Sequence, residues 1–387
     1  MYSHKFSNEA VQSDLKPAPK TELEGVIRRV IDEAGGWIDF ANFMDIALYD
    51  PKSGYYSSQN QQIGYSPLSG SDFVTAPVLT KAFAKALAVS VREALDKTQT
   101  QEIWEFGPGT GVLASQLLES LGDRICKYNL VEVSGGLRAR QSALLSAYAD
   151  KVNWVSELPE VMKGVVIGNE VLDAIPVNII KRIDGIWYEQ GVCLSEGLGA
   201  TQVEGNKTAW LGWAGRLTDL RPPSQEGLTG DYLTEVHPRA EAFVQTLVNR
   251  LEVGAMFFLD YGFPEREYYH PQRHMGTLMC HLRHVADDNP FVFVGHKDIT
   301  THVNFTGIAL AAQECGANVL GYTSQAHFLL NNGFLDFLED ADLSERARAL
   351  KLIHEHEMGE LFKVLIIGLG SVWDPIGCLR GDRTHTL

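Results

Sequence analysis

The sequence lacks any long apolar segment. No run in its 387 residues approaches the roughly 20 apolar residues that cross a bilayer. The first 20 residues also lack the apolar core of a secretory signal, and Glu9 and Asp14 are unusual for an Arg-rich transit peptide. We therefore expect no membrane insertion and a cytoplasmic location.

Cysteine is scarce, with five scattered residues and no Cys-x-x-Cys pair. Such an odd, dispersed set is typical of a reducing compartment rather than of a disulfide framework. Six histidines crowd residues 270–302, but their spacing matches no zinc pattern. Met358 also stands where a His-Glu-x-x-His motif needs its second histidine. We therefore predict no metal site.

Basic residues are outnumbered, because 33 Lys and Arg face 49 Asp and Glu and leave a formal net charge of -16. Nucleic acid and anionic membranes would be repelled at long range, so we expect neither as a partner. A basic protein segment is compatible with this charge. The sequence indicates no particular oligomeric state.

The middle of the chain alternates short apolar strands with helices. Strand-like stretches at 103–106, 128–133 and 165–168 are separated by helical patterns at 112–121 and 137–149. Strands separated by helices of this length predict parallel βαβ units with right-handed crossovers. The sequence therefore predicts an α/β fold.

Composition divides the chain into five parts. They are a disordered leader at 1–20, an N-terminal helical and lid segment at 21–100, a central α/β domain at 101–180 and 231–374, an inserted hairpin-rich flap at 181–230, and a tail at 375–387. Pro77 begins a predicted helix with one apolar stripe, because a fixed φ suits a first turn. Another helix is predicted over 334–350.

The motif Glu105-Phe106-Gly107-Pro108-Gly109-Thr110-Gly111 closes the first of these strands. Glycines there let the backbone turn sharply and approach a ligand, and the next helix presents free N–H groups. The dinucleotide pattern Gly-x-Gly-x-x-Gly is not met, because its third position falls on Val112. We predict that this motif binds the amino-acid end and ribose of S-adenosylmethionine. An NAD-dependent oxidoreductase is the alternative.

Polar residues follow two further strands. Glu132 ends the second strand, where a carboxylate can accept both hydroxyl hydrogens of a ribose. Asn169, Glu170 and Asp173 follow the third strand, at the edge of the sheet where ligands bind. Carboxylates can hold a guanidinium there by paired hydrogen bonds. The alternative for Asn169 and Asp173 is a structural role in a turn and a helix cap.

Six motifs occur in an order that resembles the MidA-type methyltransferases, which are related to the mitochondrial assembly methyltransferase of respiratory complex I. They are Phe43-Met44 through Gly54-Tyr55-Tyr56, Gly70 through Pro77, the Glu105 turn, Asn169 through Pro176, Gly276-Thr277-Leu278, and Asp298 through Phe305. The resemblance covers nearly the whole chain after the leader. It implies a class I (Rossmann-like) methyltransferase fold, S-adenosylmethionine as cofactor and, in the mitochondrial relatives, dimethylation of an arginine on a complex I subunit.

The resemblance also implies roles for individual residues. Those expected at the cofactor are Asp72, Thr75, Glu105, Gly107, Gly109, Gly111, Glu132 and Asn169, and those expected at the acceptor are Glu170, Asp173 and His302. His302 is the candidate general base because imidazole titrates near neutral pH, and a structural histidine is the alternative. We predict a protein-arginine N-methyltransferase with a protein substrate. A non-catalytic assembly factor that binds S-adenosylmethionine is a further alternative.

Overall fold

The computed structural model describes residues 21–57, 75–195, 210–223, 226–283 and 285–387. Strands make up three sheets in these parts of the chain. The strands are β1 (Ile38–Asp39), β2 (Glu102–Phe106), β3 (Lys127–Val131), β4 (Val152–Val155), β5 (Met162–Asn169), β6 (Asn178–Ile183), β7 (Ile186–Leu194), β8 (Leu211–Leu217), β9 (Tyr232–Val236), β10 (Leu251–Phe263), β11 (Met279–Leu282), β12 (Val285–Asp287), β13 (Asp298–Thr300), β14 (Val303–Asn304), β15 (Asn318–Ser324) and β16 (Phe362–Leu369).

Helices pack on both faces of the central sheet, and two further helices belong to the N-terminal segment. They are α1 (Thr21–Glu33), α2 (Phe40–Tyr49), α3 (Ala76–Leu79), α4 (Lys81–Thr98), α5 (Val112–Leu121), α6 (Gly135–Leu144), α7 (Pro238–Arg250), α8 (Glu265–Tyr268), α9 (Phe305–Glu314), α10 (Gln325–Asn331), α11 (Leu343–Leu350) and α12 (Met358–Leu361). In the parts of the chain that the structure describes, none of these helices has the length and apolar composition to span a bilayer.

The central sheet has the order β15-β16-β10-β5-β2-β3-β4, and the short strand β14 pairs with β10. Strands β10, β5, β2, β3 and β4 run parallel, whereas β16 and β15 are antiparallel to their neighbours. The predicted parallel α/β unit is therefore confirmed. Parallel strands place their carboxyl ends along one edge of the sheet, and that edge carries the predicted site motifs.

A second, antiparallel sheet has the order β8-β7-β6-β9, with β1 paired to β7. Apart from β1, its strands lie between residues 178 and 236, which is close to the predicted flap. Helices α1 and α2 pack on this sheet through Leu23, Ile27 and Phe43. Burial of these side chains fixes the N-terminal segment against the flap rather than against the central sheet. A third sheet has the order β12-β11-β13.

The helix predicted to begin at Pro77 is divided in two. Thr80 has extended backbone angles, φ -162° and ψ 145°, and its hydroxyl accepts a hydrogen bond from Ala82. Thr80 is thus the N-cap of a new helix, α4, because Thr at this position satisfies a free amide of the first turn. The predicted stripe Phe83, Leu87 and Val91 is fully buried within α4.

The helix predicted over 334–350 is wrong in its first half. Within 334–350 only α11 is an α-helix, because Asp342 accepts a hydrogen bond from Glu345 and begins that helix late. The tail at 375–387 packs on the rest of the fold: Cys378 is buried, and the Thr323 hydroxyl donates to the Gly381 carbonyl. The tail therefore covers the side of β15 that no strand pairs with.

Candidate active site

A cavity of about 320 Å³ lies at the carboxyl ends of β2, β3 and β5. This size falls near the lower limit of small-molecule sites, about 300 Å³. Its walls come from the N-terminal segment, the strand ends, α3, α6 and α7. The lining includes Tyr49, Tyr56, Thr75, Glu105, Gly107, Gly109, Glu132, Arg140, Asn169, Glu170, Ala174 and Phe243. The strand-end motifs therefore meet around one cavity.

The glycine turn has the backbone that its sequence predicts. Gly107, Gly109 and Gly111 have φ values of 58°, 52° and 82°, which glycine adopts at little cost. Gly111 begins α5, and a side chain there would also lie 3.2 Å from Gln141 Cγ. Gly107 and Gly109 line the cavity, while Gly111 supports the turn behind it.

Glu105 lies at the end of β2 and is buried at the cavity wall. The Tyr128 hydroxyl donates to its carboxylate at 2.7 Å. Burial raises the pKa of Glu105 to about 7, although the Tyr128 hydrogen bond acts in the opposite direction. A bound ammonium group would stabilise the charged carboxylate. Glu105 thus suits the amino-acid end of the cofactor.

Glu132 follows β3 on the other side of the glycine turn. Its carboxylate accepts hydrogen bonds from the Ser134 amide at 2.8 Å and from Gln141 Nε2 at 3.2 Å. Burial raises the pKa of Glu132, and these two donors lower it. The side chain lines the cavity, so its remaining acceptor positions suit ribose hydroxyls.

Glu170 lines the same cavity from the loop after β5. Its φ of 54° is left-handed, which is uncommon for a residue with a side chain. Asn169 donates to Glu170 Oε1 at 3.1 Å. Burial, and then the charge of Asp173, raise the pKa of Glu170 to about 8, while hydrogen bonds from Asn169 and the Ala76 amide oppose that rise.

Asp173 is buried behind Glu170 and is not part of the cavity lining. The Tyr261 hydroxyl donates to Asp173 Oδ2 at 2.5 Å, and burial raises the pKa of Asp173 to about 6. Among the described residues, Asp173 Oδ1 has no hydrogen-bond partner. The predicted contact of Asp173 with an acceptor therefore needs access past Glu170 or Tyr261.

Asp260 is a buried residue of the site that the sequence argument missed. One of its carboxylate oxygens accepts hydrogen bonds from the amides of Val171, Leu172 and Asp173, at 3.1, 2.9 and 3.2 Å. The other accepts from the Tyr261 amide at 2.9 Å. These bonds hold the loop after β5 in place. The signal was present, because Asp260 follows the apolar run of β10 as Glu132 follows β3.

Two tyrosines from the N-terminal segment form the far wall of the cavity. Tyr49 and Tyr56 stack with ring centroids 5.5 Å apart. The Tyr49 hydroxyl donates to the Ala174 carbonyl at 2.9 Å, and the Tyr56 hydroxyl donates to Asp298 Oδ1 at the same distance. Both line the cavity together with Glu170. Tyr56 and Asp298 belong to motifs of the resemblance, which could have indicated them.

His302 is not part of the cavity lining. Its ring stacks on Phe263 and meets the edge of Tyr261, which lies between His302 and Asp173. Burial, and then the charges of Arg273 and Lys363, lower the pKa of His302 to about 3. The geometry therefore places Tyr261, and not His302, next to the carboxylates. The general-base role of His302 stays an untested prediction, and this geometry favours the alternative, a structural histidine.

The remaining predicted residues lie as follows. Thr75 lines the cavity as the N-cap of α3, and Asn169 lines it at the end of β5. Asp72 lies outside the described residues. No group of His, Cys, Asp and Glu suited to a metal ion occurs within the described ranges. Carboxylates on both sides of a glycine cradle fit the ammonium and ribose of S-adenosylmethionine.

A family model of S-adenosyl-L-methionine-dependent methyltransferases matches residues 84–323, and the chain belongs to this family. A COG1565 superfamily member from Burkholderia thailandensis, whose crystal structure is bound to S-adenosyl-homocysteine, is 43% identical. The alignment covers 96% of this chain and 99% of that one, with a TM-score of 0.89. A native crystal structure from the same organism has a TM-score of 0.84 at 43% identity and the same coverage.

Two curated relatives are more distant. They are named protein arginine methyltransferase NDUFAF7 homolog, mitochondrial, and come from Caenorhabditis elegans and Drosophila melanogaster. Their identities are 26% and 25%, over 77% and 76% of this chain and 73% and 71% of their own lengths. Both names contain the word mitochondrial, so our expectation of a cytoplasmic location is wrong.

These likenesses decide between the cofactor alternatives. The class I methyltransferase fold and the relation to the MidA-type family are confirmed. S-adenosylmethionine is the cofactor of this chain, because it is the cofactor of the family. The NAD-dependent oxidoreductase is no longer an alternative. The third glycine of the turn, one position early for a dinucleotide, was the sequence feature that favoured this outcome.

Proposed function

We propose that this methyltransferase acts on a guanidinium nitrogen of an arginine in a protein substrate. The observation that carries the proposal is a concentration of carboxylates at one end of the cavity. Glu170 lines that end, and Asp173, Asp260 and Asp298 are buried near it. A cationic acceptor would offset their mutual repulsion, whereas a neutral hydroxyl acceptor would not. The names of the two curated relatives support the same acceptor.

The residues around the acceptor would position it and hold its charge. When bound, the cofactor supplies a methyl group activated by its sulfonium. Glu170 would accept hydrogen bonds from the guanidinium, with Asp173 behind it adding negative charge. With no cation bound, the raised pKa of Glu170 keeps its carboxyl largely protonated at neutral pH. An approaching guanidinium would lower that pKa and leave a carboxylate that can take up the departing proton.

The cofactor would be held by the opposite end of the cavity. We assign Glu105 to its ammonium group, Glu132 to its ribose, and Gly107 and Gly109 to close backbone approach. Asn169 and Thr75 would contact it from the loop after β5 and from the start of α3. Asp72 keeps its expected role in the segment that closes over the cofactor.

Methyl-labelled cofactor tests the acceptor directly. Purified protein would be incubated with labelled S-adenosylmethionine and cell extract, and labelled peptides would be read by mass spectrometry. We expect label on arginine, and a complex I subunit stays our prediction for the labelled protein. Label confined to lysine, carboxyl groups or small molecules would overturn the arginine proposal. Bound cofactor without any transfer would favour the non-catalytic assembly factor instead.

A further inference from the structure

Helix α6 buries one residue, and that residue is polar. Gln141 is fully inaccessible to solvent, while its helix neighbours are exposed or partly exposed. A helix that only needed to pack against the sheet would place Leu or Ile at this position. A buried amide instead costs free energy unless each of its polar atoms is hydrogen-bonded. The hydrogen bonds of Gln141 therefore decide why an amide is stable at this buried position.

Both polar atoms of the Gln141 side chain are hydrogen-bonded, and Nε2 uses both of its donor positions. Its Nε2 donates to the Gly109 carbonyl at 2.8 Å and to Glu132 Oε2 at 3.2 Å. Its Oε1 accepts from Trp154 Nε1 at 2.9 Å. The two residues joined by Nε2 belong to the two cofactor-binding elements, the glycine turn and the end of β3. One side chain thus sets the separation between them.

Trp154 on β4 decides which way the amide points. An indole N–H can only donate, so the oxygen of Gln141 must face Trp154 and the NH₂ group must face Glu132. The reverse orientation would place the NH₂ group against the indole N–H, and the amide oxygen against the Gly109 carbonyl and the Glu132 carboxylate. Gln141 also packs on Gly111, whose added side chain would lie 3.2 Å from Gln141 Cγ.

We propose that Gln141, oriented by Trp154, is a positioning residue for S-adenosylmethionine. It keeps Glu132 aimed at the ribose and ties that carboxylate to the backbone of the glycine turn. Trp154 is absent from the cavity lining, so its influence on the cofactor passes through Gln141. This inference rests on the role proposed for Glu132 and is independent of the arginine acceptor.

A double-mutant cycle with the cofactor product tests the relay. Calorimetry would give the Kd of S-adenosylhomocysteine for the wild type, Trp154→Phe, Gln141→Leu and the double variant. We expect Trp154→Phe to raise Kd about fivefold, the value of one hydrogen bond, and Gln141→Leu to raise it at least about tenfold. In the Gln141→Leu background, Trp154→Phe should change Kd by less than about twofold, because the residue it orients is gone.

Trp104→Phe is the matched control. Trp104 is likewise a tryptophan of the central sheet, more buried than the half-buried Trp154, and its Nε1 donates to the Lys163 carbonyl at 3.0 Å rather than to Gln141. It should lower Tm as Trp154→Phe does but leave Kd unchanged. Equal effects of Trp154→Phe in both backgrounds, or no change of Kd in any variant, would overturn the proposal.

Two further variants keep the test decisive. If Gln141→Leu does not fold, Gln141→Glu replaces it, since Glu keeps the size and the Trp154 acceptor but removes both donors. Glu132→Ala tests the role of Glu132 separately from the relay through Trp154 and Gln141. An unchanged Kd in Glu132→Ala would remove the role of Glu132, whereas a raised Kd there with unchanged values for Trp154→Phe and the Gln141 variant would remove only the relay.

Discussion

The carboxylates at the two ends of the cavity have different surroundings. At the cofactor end, Glu105 and Glu132 each have a donor of their own, from Tyr128 and from Ser134 and Gln141. At the other end, Glu170 and Asp173 also have donors, from Asn169 and Tyr261, but two further carboxylates, Asp260 and Asp298, lie near them. The charge of Asp173 contributes to the raised pKa of Glu170. Pre-arranged donors favour a ligand in one fixed place, whereas crowded acids favour whatever brings positive charge.

The largest expected effect is at the crowded end. Glu170→Gln keeps the shape but removes the charge, so we expect methyl transfer to fall on the order of a thousandfold. Initial rates with labelled cofactor measure this, and the Kd of S-adenosylhomocysteine should stay within about threefold. A comparable loss of cofactor binding would contradict the assignment of Glu170 to the acceptor end of the cavity.

The mirror-image effect is expected for Glu132→Ala. Loss of charge-assisted hydrogen bonds to the ribose should weaken cofactor binding on the order of a hundredfold. The change in Tm should be small, because Glu132 faces the cavity and not the core. Calorimetry and thermal melts of the same samples test both parts. Large losses of both would mean that Glu132 is a structural residue.

A smaller effect is expected for Asp260→Asn. The Asn amide cannot accept at both ends, so an NH₂ group would face a backbone N–H and disturb the loop of Glu170. We expect transfer to slow about tenfold with little change in cofactor Kd. A pH–rate profile would separate this from simple destabilisation, since the ionisation of Glu170 should shift as well. An unchanged profile with a lowered Tm would leave Asp260 a purely structural role.

The pH dependence of stability tests the raised pKa of Glu170. In the unfolded chain Glu170 ionises near 4.5, but in the empty folded protein it ionises near 8. The folded state therefore holds the proton more tightly, and this contribution to stability is lost as pH rises from about 4.5 to 8. Urea unfolding at several pH values gives the unfolding free energy as a function of pH. Between pH 4.5 and 8 this free energy should fall less steeply in Glu170→Gln than in the wild type, by about 1 kcal/mol per pH unit. Equal slopes would show that Glu170 ionises normally.

The smallest effect is expected for His302→Gln. Because Tyr261 separates His302 from the carboxylates, we expect methyl transfer to change by less than about threefold. A general base would instead lose on the order of a hundredfold or more. Initial rates at saturating cofactor distinguish the two results. A large loss of methyl transfer would instead support His302 as the general base.

Local sequence patterns predicted the central fold well. The glycine turn, Glu132 and the Asn169 motif each follow a buried strand, and parallel strands bring such ends together. Long-range contacts such as that between Gln141 and Trp154 were missed, because no local sequence pattern joins these residues. The Pro77 helix was misjudged because the capping bond of Thr80 outweighs a continuous apolar stripe.

The hydrogen bond between Tyr56 and Asp298 also bears on biosynthesis. Its partners are 242 residues apart, so Tyr56 leaves the ribosome long before Asp298, to which it is hydrogen-bonded. At about 5 to 20 residues per second, the wait lasts on the order of 10 to 50 seconds. For most of that interval, until β9 ends at Val236, the apolar faces of α1 and α2 have no complete sheet to pack on. Nascent chains of this enzyme should therefore depend on chaperones until β9 has emerged.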